Sequence, residues 1–128
     1  PSNFDHPSHQ IIAELADEEP YWSAGDGPLP RDPVQSVLKP EEYSELLRAL
    51  GFDRQHVRLQ VFGHELPSTE AVVDWTRGTT LTRIKHHLPP DLYADFVAEY
   101  RRRLLAEIGE GGPYFYAFKR ILMWAKRG

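Results

Sequence analysis

Cysteine is missing altogether from the 128 residues, which excludes disulfides, thiolate metal sites and cysteine nucleophiles. A cytoplasmic protein fits such usage, which other compartments also allow. Long apolar runs are missing too: nowhere do about 18 apolar residues follow one another, so no segment reads as a helix that spans a bilayer. The first residues lack the basic-then-apolar order of a secretory leader. They also lack a methionine, starting Pro1-Ser2-Asn3-Phe4-Asp5, as expected of a cut inside a longer protein. Positive charge is in deficit, with 15 Lys and Arg against 19 Asp and Glu and a net charge of -4. A nucleic-acid partner is thereby disfavoured, because counterion release requires Lys and Arg clustered on one face. A glycine-rich phosphate loop is absent as well. Neither Gly25-Asp26-Gly27 nor Gly109-Glu110-Gly111-Gly112 follows the strand pattern such a loop needs.

What remains is a globular composition, 41% hydrophobic and 27% charged, which argues against disorder. A chain of this length makes one ordinary domain and buries roughly two thirds of its unfolded surface. Residues 8–18 predict a short helix with Ile11, Ile12, Leu15 and Ala16 on one face and Ser8 as its cap. Residues 19–37 hold Pro20, Pro28, Pro30 and Pro33 together with Gly25 and Gly27, which predicts a loop. A loop this long inside a compact domain is either functional or mobile. Residues 40–50 predict a helix: Pro40 suits its first turn, Glu41 and Glu42 complement the dipole, and Gly51 stops it. Its apolar face is Tyr43, Leu46, Leu47 and Leu50. Residues 56–66 alternate and predict a half-buried strand. A helix over 68–77 ends at Gly78. Pro89 and Pro90 open a longer one, with Leu92, Phe96, Tyr100 and Leu104 in a stripe and Gly109 beyond its end. Arg101, Arg102 and Arg103 cannot all face the core, so most of that run belongs to a solvated face.

The most apolar stretch is Tyr114 to Lys126. Phe115, Ala117, Ile121 and Met123 fall on one side of a strand, and Tyr116, Phe118, Leu122 and Trp124 on the other. A strand apolar on both faces belongs in the middle of a sheet covered on both sides. Yet only one other strand is predicted, beside four or five helices, and a two-stranded sheet alone is marginal. The sequence therefore reads as α/β with an incomplete sheet, or α+β taken by itself.

Few constellations carry chemistry on their face. His86 and His87 are adjacent on a helix end and point about 100° apart, so they do not make a metal site without a third ligand. His6 and His9 read as capping or turn residues. No Ser-His-Asp order can be placed, and among 19 acids a carboxylate pair carries no information.

Three strings say more. They are Asn3-Phe4-Asp5-His6-Pro7-Ser8-His9, the run His64 to Ser68 followed by Val73-Asp74-Trp75, and Phe118-Lys119-Arg120-Ile121-Leu122. Together with Tyr43, Leu46, Leu47 and Gly51, they resemble, in order and spacing, blocks of the trans-aconitate 2-methyltransferase family. The resemblance runs from the first residue to about Lys126. It implies the C-terminal part of a Rossmann-like class I methyltransferase fold, whose last strand runs antiparallel between the fifth and sixth. On that reading residues 1–66 are core, 67–112 are a helical lid inserted over the acceptor, and 113–128 are the last strand. The implied activity is transfer of a methyl group from S-adenosylmethionine to a carboxylate of trans-aconitate or a similar small polycarboxylate. The family binds that cofactor through its N-terminal half, which precedes Pro1, so this chain alone is expected to be inactive and to bind no cofactor.

Ligands of open α/β sheets sit beyond the carboxyl ends of the parallel strands, which here means near His64 and Tyr114. A polycarboxylate calls for cations and donors. The acceptor-side candidates are Asn3, His9, His64, Trp75 and Arg120, with Tyr21 and Trp22 from the loop; no catalytic base is expected. Ordinary structural readings stand beside these: Trp75 as a core anchor, Arg120 as a paired charge, His64 as a strand end, Asn3 as a turn residue. The alternative function is a non-catalytic small-molecule-binding or dimerisation module. Two copies are expected to pair through the bare edge of strand 114–126.

Overall fold

A computed structural model describes residues 1–25 and 27–128. Asp26, the middle of the Gly25–Gly27 run, lies outside the described residues. The elements are helix α1 (Pro7–Ala16), a 3-10 turn (Pro33–Ser36), helix α2 (Pro40–Ala49), strand β1 (Arg54–Leu66), helices α3 (Glu70–Arg77), α4 (Leu81–His87) and α5 (Pro90–Ile108), and strand β2 (Tyr114–Lys126). Helix and strand are thus mixed, with a single antiparallel pair β1-β2 among the described residues. None of these helices is long and apolar enough to cross a membrane.

Two local expectations give way. Helix α1 is capped by His6, not Ser8: Pro7 takes the first helical position, and the His6 Nδ1 accepts from the Ser8 amide at 3.0 Å. Residues 81–87, where only a helix end at His86 and His87 is predicted, form a full helix, because Leu81, Ile84 and Leu88 repeat at helical spacing and sink into the core.

β1 and β2 pair along their whole length, from Arg54↔Lys126 to Leu66↔Tyr114. Alternation sends Tyr116 and Phe118 to the face covered by helices, where both are buried. The opposite face carries Phe115, Met123, Leu59 and Val61, all about half exposed or more. β2 is therefore apolar on both faces, as its sequence says, but this chain covers only one. Helix α2 lies against β1, where the Gln55 side chain donates to the Ser44 carbonyl at 3.0 Å. Its Leu46 and Leu50 stay exposed.

The core lies between the covered sheet face and the four helices α1, α3, α4 and α5. Leu15, Val72, Leu81, Phe96, Tyr100, Leu104 and Tyr116 are fully buried there. Each large side chain removed from water stabilises the fold by roughly 1.5–3 kcal/mol before entropic costs. Tyr100 keeps its hydroxyl satisfied by bonding Thr76 at 3.1 Å. The arginine run at 101–103 points outward and each member meets a carboxylate: Glu70, Glu99, or Glu99 with Glu18.

The edge of β2 away from β1, expected to be bare, is occupied at its centre by the first residues of the chain, whose polar groups reach the Lys119 backbone. The Ser2 amide donates to the Lys119 carbonyl at 2.9 Å, and the Lys119 amide donates to the Asn3 side-chain oxygen at 3.0 Å.

Candidate functional site

A cavity of about 590 Å³ opens between the proline-rich segment, helices α3 and α4, and β2. Each wall has a local cause. Asp32 starts the 3-10 turn: its Oδ1 accepts from the Val34 amide at 3.0 Å, and Pro33 follows in the first position. That turn aims Val34 and Val37 at the cavity. Gly78 ends α3, and the bend into α4 presents Trp75, Thr79, Thr80 and Arg83. β2 contributes Phe118 and Arg120, α1 contributes His9, and Pro1 closes the rim.

Two guanidinium groups line this space, in different states. Arg83 is engaged: Nη1 reaches Asp32 Oδ1 at 3.2 Å and Nη2 reaches Oδ2 at 3.2 Å. His9 Nδ1 stands 3.4 Å from the same Oδ2. Burial opposes the Asp32 charge, but hydrogen bonds from His9, Arg83 and the Val34 amide outweigh it and hold the carboxyl well below the usual carboxylate range. Arg120 forms no ion pair among the described residues. Its guanidinium lies over the rings of Phe118 and Phe62, 5.2 and 5.9 Å from their centroids. Apart from Thr79 and Thr80 the remaining wall is apolar, with Trp75 leaning on Phe118 at a centroid distance of 5.7 Å. The arrangement suits an anion with a hydrocarbon body.

Three of the predicted residues, His9, Trp75 and Arg120, meet at this cavity. The other four stand elsewhere. His64 leans at a tilt against Trp75, ring centroids 5.0 Å apart, and does not line the cavity. Asn3 is fully buried at the β2 edge, and its Nδ2 has no partner among the described residues. Tyr21 is buried edge-on against Phe96 at 5.0 Å, and Trp22 is 46% exposed. Sequence reasoning missed Asp32, Arg83, Thr79 and Thr80. Only Asp32 carried a local signal, as an acid followed by proline.

Among the described residues no three His, Asp or Glu side chains come together as a metal site. His87 Nε2 donates to the Gly27 carbonyl at 3.0 Å, while His86 is exposed.

No family model matches the chain. Individual proteins do. It is 37% identical over 132 residues to a trans-aconitate 2-methyltransferase of Streptomyces coelicolor, a match covering 99% of this chain and 42% of that protein. The enzyme of the same name from Deinococcus radiodurans is 34% identical, with 99% and 49% covered. That from Variovorax paradoxus is 32% identical, again with 99% and 49% covered. This chain is a sequence relative of the trans-aconitate 2-methyltransferases. It spans about half the length of these relatives.

Proposed function

We propose that this chain is the C-terminal, acceptor-binding portion of an S-adenosylmethionine-dependent methyltransferase with the Rossmann-like class I fold, acting on a carboxylate of trans-aconitate or a similar small polycarboxylate. The relatives' names support the reaction. The observation that carries the acceptor role is Arg120, a guanidinium with no ion-pair partner among the described residues, on the wall of a largely apolar cavity. A carboxylate offers that group two acceptor oxygens in the geometry its fork prefers. Trp75, Val34 and Val37 would hold the hydrocarbon skeleton and exclude water. A carboxylate oxygen is already a nucleophile at neutral pH, so positioning is the main task and no base is assigned.

The residues of this chain do not fit the methyl donor. The one strand-to-helix connection among the described elements, residues 67–69, has no glycine. The glycines at 109–112 run from a helix into a strand, the wrong order for a nucleotide cradle at a helix N-terminus. On this reading the other half of the enzyme supplies the cofactor. Helices α3 to α5 act as the lid over the acceptor.

The test is titration of the 128-residue chain with trans-aconitate, followed by two-dimensional NMR at the Trp75 indole. Loss of one bidentate carboxylate contact costs roughly 1.5–3 kcal/mol, so Arg120→Ala should weaken binding by about 10- to 100-fold. Undiminished binding by a folded Arg120→Ala chain would refute the acceptor role.

A further inference from the structure

The geometry points to Asp32 as a specificity-determining residue that sets how many negative charges the cavity accepts. The inference rests on the acceptor reading above and goes beyond it. Asp32 occupies the Arg83 fork as a ligand carboxylate would, with one oxygen on each terminal nitrogen at 3.2 Å. The side chain of Asp32 is only 15% exposed, and both partners line the same cavity as Arg120. A built-in carboxylate thus takes one of the two guanidinium groups out of play. It also places a fixed negative charge opposite any ligand carboxylate that approaches the 3-10 turn.

Two consequences follow for an acceptor. One of its carboxylates goes to Arg120, the guanidinium left free. Its other carboxylates turn away from Asp32, toward the mouth of the cavity, while the skeleton lies along Trp75 and Val34. Asp32 therefore orients a polycarboxylate as well as limiting its charge. His9 sits at 3.4 Å from the same carboxylate and is a third member of the group.

The test compares trans-aconitate with glutaconate, the same unsaturated skeleton short of one carboxylate. The chain carries an acetyl cap on Pro1, so that the terminal amine adds no charge to the rim. In the wild-type chain the two affinities should agree within about threefold, since only one fixed cation is free. Asp32→Asn releases Arg83, and the preference for the tricarboxylate should rise about tenfold. Arg83→Gln leaves Asp32 uncompensated; both ligands should bind more weakly, the tricarboxylate most. Opposite shifts of the ratio in the two variants are the signature, because a merely structural role moves both ligands alike.

If both variants weaken the two ligands by one common factor, the inference falls and the acceptor reading stands. If binding by the wild-type chain is absent, or survives Arg120→Ala, the acceptor reading falls and takes the inference with it. Should Asp32→Asn lose its dispersed NMR spectrum, Arg83→Gln decides alone, and an unchanged ratio there overturns the inference.

Discussion

The His6 ring nitrogen Nε2 lies 2.7 Å from the Tyr114 hydroxyl, while its Nδ1 accepts the Ser8 amide at 3.0 Å. An imidazole that accepts at Nδ1 must be neutral, with its proton on Nε2 facing Tyr114. One uncharged side chain thereby caps α1 and ties it to the first residue of β2.

That neutrality predicts an acid-sensitive fold. Burial, aided by the charge of nearby His9, pushes the His6 pKa down from 6.5 to about 4. The unfolded chain then binds more protons than the folded one between those values, so stability is full above pH 6.5 and falls as pH drops toward 4. The group is partly solvated, which discounts the effect to about 1–2 kcal/mol. His6→Asn retains a capping side chain and removes the titration. Urea midpoints at pH 7 and 4.5 should converge in that variant; an equal acid loss in both chains would contradict the assignment.

Phe96 is fully buried against Tyr21. Phe96→Ala should cost about 3–5 kcal/mol, mostly through the cavity it leaves. Tyr116→Phe is much milder, about 1 kcal/mol, because it removes only the hydroxyl bonded to Ser8 at 3.1 Å. Denaturant melts that ranked the two in the reverse order would show the core to be misplaced.

The outer sheet face predicts self-association of the isolated chain. Phe115, Val61, Met123 and Leu59 share that face across both strands and are 47 to 61% exposed. Sedimentation velocity should show dimers at high concentration, and Val61→Lys with Met123→Lys should return the chain to monomer. A wild-type monomer throughout the range would count against this.

S-adenosylmethionine should not bind the chain by itself, since among the described residues no strand leads through a glycine-rich turn into a helix. Calorimetry with micromolar stoichiometric binding would overturn that expectation and the division of labour proposed above.

The sequence was most legible where periodicity was long. Strand 114–126 and the helices opened by Pro40 and Pro90 match their predicted spans closely, because each carries an extended pattern and clear punctuation. The strand over 56–66 starts two residues earlier, at Arg54, where the residues are polar and give no alternation signal. Helix α4 escaped because it is short and its last residues, Lys85, His86 and His87, are polar. The site was half legible. Trp75 and Arg120 stood out through the family blocks, but the pairing of Asp32 with Arg83 joins residues 51 apart in sequence. Nothing local announces such a contact; it exists only once the 3-10 turn folds back over α4.

Lys119 has both backbone groups taken by Ser2 and Asn3, midway along the free edge of β2. Backbone groups of alternate residues point to the same edge, so 115, 117, 121, 123 and 125 share that side with 119. A foreign strand approaching there would find its ladder broken at the centre, with only short runs to either side. In the 128-residue chain taken alone, Ser2 and Asn3 are thus expected to interrupt fibril-like stacking, and deleting residues 1–3 should favour polymerisation along that edge.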